Sequence, residues 1–152
     1  MLVEPTFERV AHIAHRLRPL DAKEVFSQLW DDDCDRMAEG FLKSLAPSWV
    51  FADEATGEPI YFCGLSALRP GVWGVTGFGT PLFPRVAREV TKTMRRVMVP
   101  GARKIGHRFE CICLAEKESA FRWLVRLGAK FEADLIGYGR NKEDFKMLAW
   151  RF

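Results

Sequence analysis

Apolar positions recur at three- and four-residue intervals in the first third of the chain and then switch to alternation, which predicts helices first and strands after them. Val10, Ala11, Ile13, Ala14 and Leu17 share one helical face, and Pro19 ends that stretch. Asp21 stands three residues before Glu24. At that spacing a short acceptor and a reaching carboxylate satisfy the free N–H groups of a helix start, so a second helix is expected there. Met37, Phe41 and Leu45 recur every four residues, with Asp33 or Asp35 near the N-terminal end, and predict a further helical stretch closing at Ala46 before Pro47. From Trp49 the period is two. Residues 49–51 and 60–65 flank a turn-rich stretch and read as a hairpin, and Arg69, Pro70 and Gly71 turn the chain into a third strand at residues 72–76.

Pro84 and Pro100 bound the longest predicted helix, residues 85–99. Its Val86, Val90, Val97 and Met98 form a core face, while Arg85, Arg88, Lys92 and Arg95 occupy another. Phe109, Cys111 and Cys113 alternate with Glu110 and Ile112 as in a strand, and residues 119–127 followed by Gly128 suit a helix with a glycine C-cap. Residues 131–138 and 145–152 read as two closing strands around Gly139, Arg140 and Asn141. The coarse order is α-α-β-β-β-α-β-α-β-β, with a short strand at the start as an option. There is no repeat, linker or low-complexity tract.

Composition narrows the class. With 152 residues, 48% of them hydrophobic and 28% charged, the chain has enough apolar surface for one core, and a single α/β (α+β) domain over residues 1–152 is expected. No apolar run approaches the roughly 20 residues of a membrane span, and the N-terminus lacks a basic region followed by an apolar one, so a soluble protein that is not exported is expected. A net charge of +3 does not define a nucleic-acid binder. The cysteines at 34, 63, 111 and 113 show no disulfide-framework spacing, which points to a reducing compartment. Cys111 and Cys113 with His107 do not match the Cys-x₂₋₄-Cys pairs of structural zinc, so no metal is expected and the thiols read as small buried side chains. His12 and His15 read as ordinary helix residues.

Three strands, a long helix, a strand, a helix closed by Leu-Gly and a final hairpin follow the order of the GNAT acyltransferase fold. Residues 119–129 (Ser-Ala-Phe-Arg-Trp-Leu-Val-Arg-Leu-Gly-Ala) carry a more specific likeness, together with residues 72–76 (Val-Trp-Gly-Val-Thr), Arg18, Asp21, Glu24 and Val25. Across roughly residues 18–131 the chain resembles the GNAT-like internal virion protein family of short-tailed phages, often labelled phage acetyltransferase. The resemblance implies a mixed, mostly antiparallel sheet flanked by helices.

It also implies where acyl-transfer chemistry would sit. A GNAT enzyme holds the pyrophosphate of acyl-CoA on backbone N–H groups of a glycine-rich loop opening onto a helix. The corresponding stretch is residues 77–84, and Thr76, Gly77, Gly79, Thr80 and Arg85 are the candidate cofactor residues. The stretch departs from the Gln/Arg-x-x-Gly-x-Gly/Ala pattern, and Pro81 and Pro84 each remove an N–H donor; an ordinary turn is the other reading. By position Lys117 replaces the Asn of the next GNAT motif, and Leu124 replaces the Tyr that donates a proton to the departing thiolate. Glu110 is the candidate base for an amine, or else a solvent-facing strand carboxylate. Arg85, Arg88, Lys92, Arg95, Arg96, Arg103, Lys104 and Arg108 face only Glu89 in the same region. Such a cluster suits CoA phosphates, DNA or an acidic protein surface, or simply a solvated face. The acidic run Asp31, Asp32, Asp33, Asp35 and Glu39 is a candidate to neutralise it, or serves capping and solubility.

The leading expectation is a phage virion-associated or virion-assembly protein, found in host cytoplasm and virion among other virion proteins, that keeps a GNAT scaffold with degraded acyl-transfer motifs. The alternative is an acetyl-CoA-dependent N-acetyltransferase acting on a host or phage amine, with Glu110 deprotonating that amine directly or through water. A third class is a DNA-contacting module using the basic helix.

Overall fold

The computed structural model describes residues Met1–Phe152. Its strands are β1 (Leu2–Val3), β2 (Ser48–Ala52), β3 (Pro59–Arg69), β4 (Val72–Gly79), β5 (Arg108–Leu114), β6 (Lys130–Leu135) and β7 (Phe145–Arg151). They form one sheet in the order β1-β2-β3-β4-β5-β7-β6. All neighbours are antiparallel except β4 and β5, which run parallel. The helices are α1 (Phe7–Ala14), α2 (Pro19–Phe26), α3 (Cys34–Ser44), α4 (Ala87–Thr93), α5 (Val99–Ala102) and α6 (Glu118–Arg126).

Alternation along the central strands decides which helices cover which face. Val50, Phe62 and Phe78 point to one side, where they pack with Val10, Ile13, Val25 and Met37 of α1, α2 and α3. Tyr61, Cys63, Phe109, Cys111 and Cys113 point to the other, against Val86, Val90 and Met94 and the partly buried Trp123 and Leu124 of α6. Phe62 and Phe78 are fully buried with ring centroids 5.2 Å apart, and burying each such side chain contributes roughly 1.5–3 kcal/mol. The α/β architecture expected from the sequence is the one observed.

Four local expectations need correction. Three helices, not two, precede the first hairpin, since each of the three periodic stretches forms its own. Asp21 is not a cap: α2 opens with Pro19 at its first turn after Arg18, and Asp21 sits buried inside the helix. A proline is tolerated there because the first N–H groups of a helix have no intrahelical partner. Pro100 does not stop the long helix. Residues Met94–Met98 form a π turn and the helix resumes as α5 through Ala102, with Pro100 near the start of α5; a locally widened turn accommodates a ring that a regular α ladder would reject. Gly77 and Gly79 lie within β4, not in a loop, because the ladder with β3 continues to the Tyr61–Gly79 pair.

The other caps follow their sequence signals. Thr6 accepts from Arg9 N–H and Asp33 from Arg36 N–H. Gly128 adopts φ +100° behind α6, the left-handed region in which a glycine closes a helix without strain.

Candidate functional site

Strands β4 and β5 pair only from Val72–Arg108 to Gly74–Glu110 and then part. Thr80 N–H donates to Ile60 O at 2.9 Å, so β4 pairs with β3 through its even-numbered residues, and the peptide groups of Val75 and Gly77 turn toward the departing β5. The gap opens into a cleft of about 560 Å³. Val75, Thr76 and Gly77 line it from β4, Cys111, Ile112 and Cys113 from β5, and Ala120, Trp123 and Leu124 from α6. Val25 and Leu29 line its opposite side, so the cleft is reached from both faces of the sheet.

Helix α2 spans the open end. Asp21 Oδ2 accepts from Gly79 N–H at 2.7 Å, at the end of β4, and from the Arg18 guanidinium at 2.7 and 3.1 Å. One turn on, Glu24 Oε2 accepts from Leu114 N–H at 2.8 Å, at the end of β5. Two carboxylates three residues apart therefore hold the tips of the separated strands. Lys117, where α6 begins, places its Nζ 2.8 Å from both Glu24 Oε1 and Asp21 Oδ1. The contact to Asp21 is a charge contact without an aligned hydrogen bond, and Oδ1 has no other donor. Burial pulls the Lys117 ammonium down, but the fields of Glu24 and Asp21 and the hydrogen bond to Glu24 outweigh it and leave its pKa raised. The four groups sum to zero charge, the condition under which charges persist in a dry interior.

The sequence candidates are distributed unevenly around this cleft. Thr76 and Gly77 line it. Gly79 and Thr80 are buried at its end, their N–H groups already given to Asp21 and Ile60 O. Arg85 stands exposed, 3.5 Å from Asp53. Glu110 projects to the face of α1–α3 at the last β4–β5 pair, outside the cleft lining, and accepts from Arg108 Nε at 2.7 Å. Arg108 in turn grips Glu132 with two bonds of 2.9 and 2.6 Å. Leu124 lines the cleft.

The basic cluster is smaller in space than in sequence. Arg88, Lys92, Arg95 and Arg96 surround one open surface hollow, while Arg108 belongs to the Glu110–Glu132 network and Arg103 lies over the Phe152 ring. The acidic run does not neutralise it within the chain. Asp31 pairs with Arg36, Asp32 with Arg140, Asp35 with His15, and Glu39 with Lys43.

Cys63, Cys111 and Cys113 are buried, and desolvation lifts each thiol to about 12. An unfolded chain ionises these thiols nearer their ordinary value of 9.0, so above that pH the unfolded state has lost protons that the native state keeps. Stability then falls as pH rises. Urea midpoints are expected to hold steady up to about pH 8.5 and to fall progressively from about pH 9 to 12; an unchanged midpoint at about pH 10.5 contradicts the burial of these groups. Raised Lys117 acts in the same direction at the upper end of that range, because its ion pairs vanish on deprotonation.

Sequence reasoning did not single out Lys117 as buried, Asp21 and Glu24 as clamps, or Tyr61 as a cleft residue. The only advance signal for the first three was the coincidence of Arg18, Asp21 and Glu24 in the segment that carried the resemblance.

No family model and no curated protein matches the sequence. Solved structures do match the fold. A GNAT superfamily phosphinothricin acetyltransferase from Sinorhizobium meliloti, in complex with acetyl-CoA, superposes with a TM-score of 0.72 at 14% identity, covering 100% of this chain and 88% of that one. A GNAT-family acetyltransferase from Bacillus anthracis gives 0.69 at 11% identity, covering 99% and 93%. A single-site variant of spermidine N-acetyltransferase from Vibrio cholerae gives 0.66 at 14% identity, covering 99% and 93%. The chain has the GNAT acetyltransferase fold. No helix is long and apolar enough to cross a membrane.

Proposed function

We propose that the protein is an acyl-CoA-dependent N-acyltransferase using acetyl-CoA. The observation that carries this reading is the cleft of about 560 Å³ between parted β4 and β5, entered from both faces of the sheet. A donor from the α4–α6 side and an amine from the α1–α3 side then meet where the strands separate. Gly77 supplies the fit. A Cβ there would land on the Tyr61 hydroxyl and lie 3.0 Å from its Cζ, so only glycine leaves both that ring and the strand edge open. The acetyl-CoA complex of a similarly folded enzyme supports the choice of donor.

Gly77 is proposed to contact the donor's arm along the open edge of β4, and Arg85 to meet its phosphates; Thr76, whose peptide groups pair with β3 and whose side chain projects to the α1–α3 face, is proposed to line the amine's side of the cleft. Gly79 and Thr80, with their N–H groups engaged, shape the end of β4 beside them. The donor supplies an activated acyl carbon. Glu110, at the last β4–β5 pair on the α1–α3 face, is proposed to take the amine's proton through water, since it lies outside the cleft lining. The alkyl side chains and rings of Val75, Trp123 and Leu124 keep bulk water from the thioester.

The test is thermal unfolding with acetyl-CoA. A ligand at 100 times its dissociation constant stabilises by about 2.7 kcal/mol, and a clear upward shift is expected. No shift up to roughly millimolar acetyl-CoA, a range covering typical enzyme affinities, removes the proposal. The second reading is a virion-associated protein on the same scaffold. It is favoured by Lys117 and Leu124 at the positions of the family's Asn and Tyr, and by the engaged N–H groups of Gly79 and Thr80. Peptide mass spectrometry of purified particles tests it, and absence of the chain from particles and assembly intermediates sinks it.

A further inference from the structure

We infer that Tyr61 of β3 is the acid that protonates the departing thiolate, taking the part for which Leu124 is chemically unfit. The assignment rests on the acyltransferase reading above. A proton delivered to the departing sulfur eases cleavage of the C–S bond, and a leucine has none to give. Among the cleft-lining side chains, Arg18, Glu24 and Lys117 are committed to the clamp network. Cys113 Sγ is turned to the carbonyls of Leu114 and Lys117 at 3.6 and 3.8 Å. Thr76 projects to the α1–α3 face, alternate to Gly77, and Ser119 is exposed on the surface of α6. Aliphatic hydroxyls are also far weaker acids than a phenol.

Tyr61 has the right placement. It crosses β4 on the α4–α6 face with its ring edge over Gly79 and its hydroxyl over Gly77. Phe83 packs on the ring at 5.0 Å between centroids. The residue is 5% exposed, yet it lines the cleft; no hydrogen bond within the chain engages its hydroxyl, and the one sealed polar side-chain atom without a hydrogen bond is Asp21 Oδ1, so the Tyr61 hydroxyl keeps contact with the cleft. Glycine at 77 and 79 is what lets the ring lie flat on the strand. Desolvation pushes the phenol well above its ordinary value; the Cys63 thiol, Asp21 and Glu24 add to this and Arg18 opposes it. The group is therefore protonated at neutral pH; the same desolvation makes it a weaker acid, so its proton moves only as negative charge gathers on the sulfur beside it. Glu110 projects to the opposite face of the sheet at the Gly74 pair, three residues before Gly77 along β4, so the proposed base and acid lie on opposite faces.

The transfer balances. The amine nitrogen bonds to the acyl carbon, the C–S bond breaks with its electron pair going to sulfur, and the proton of Tyr61 Oη passes to that sulfur. The phenolate recovers a proton that the nitrogen loses, by way of water. One proton moves from nitrogen to sulfur overall, and no other reactant is consumed.

The test is Tyr61→Phe in the full chain, with CoA, desulfo-CoA and acetyl-CoA as ligands. Wild-type protein is expected to bind CoA more tightly than desulfo-CoA by roughly three- to tenfold, the worth of one hydrogen bond to sulfur. The variant is expected to lose that gap, to bind desulfo-CoA unchanged and to melt no lower, since the hydroxyl has no protein partner to lose. Thiol release from acetyl-CoA with spermidine or a lysine peptide is expected to fall about 100-fold or more in kcat, with KM for acetyl-CoA unchanged. A variant that keeps the sulfur-dependent gap or the parent kcat overturns the assignment. So does wild-type protein that binds acetyl-CoA and releases no thiol. Failure of the wild type to bind either CoA or acetyl-CoA overturns the proposed function and takes this assignment with it.

Discussion

Lys117→Met is expected to destabilise the protein by about 3–5 kcal/mol, because it removes the buried cation and leaves the carboxylates of Asp21 and Glu24 facing each other without it. In a chain of this length that loss lowers the melting temperature by roughly 6–20 °C. Methionine matches the stem of lysine, so the deficit is electrostatic rather than a cavity. A deficit below about 1 kcal/mol, which is the range of an exposed pair, contradicts the buried clamp. The consequence extends to the cleft, since Asp21 and Glu24 hold the tips of β4 and β5. A partly released clamp is expected to broaden hydrogen exchange at Gly79 and Leu114 before the rest of the sheet.

Gly77→Val is expected to abolish acetyl-CoA binding while leaving the chain folded. The first added carbon falls on the Tyr61 hydroxyl and lies 3.4 Å from Cys63 Cβ, so either the phenol swings into the cleft or the strand edge withdraws. Overpacking of this kind costs about 1–3 kcal/mol, which a folded domain withstands. Ligand binding is the larger casualty, because the displaced ring and the branched side chain occupy the space between β4 and β5. The parent's shift at 100 times the dissociation constant, about 2.7 kcal/mol or roughly 5–11 °C, is expected to vanish. A variant retaining that shift would place the donor somewhere other than the β4 edge.

These two residues show why the clamp and the acid were hidden. Lys117 and Leu124 were legible as departures from a motif, but a departure says only what is missing. Asp21 and Glu24 were read as a local capping pair because their spacing satisfies one. Their actual partners are Gly79, Leu114 and Lys117, at separations of 58, 90 and 93 residues. A carboxylate three residues before another serves equally well at a helix start or, when the helix is buried against strand ends, as a pair of clamps. Only the surroundings choose between those uses. Tyr61 offered no signal at all, since an aromatic residue in an alternating stretch is ordinary strand composition.

Elements whose cause is local were readable from the order of residues. The alternation of Phe109, Cys111 and Cys113 set that strand and its buried face. Gly128 closed α6, Asp33 capped α3, and the turn at Gly71 joined β3 to β4, because each depends on neighbours within a few positions. The order of strands and helices from the first hairpin onward followed from such periods. The continuation of the helix through Pro100 and of β4 through Gly79 did not, since a π turn and a cross-strand partner override local preference. The cleft itself belongs to the assembled sheet. Two parallel strands part after three pairs, a helix from the other end of the chain bridges their tips, and a tyrosine crosses from the neighbouring strand. Each of these is a contact between distant segments, and short-range periodicity carries no information about which distant segments meet.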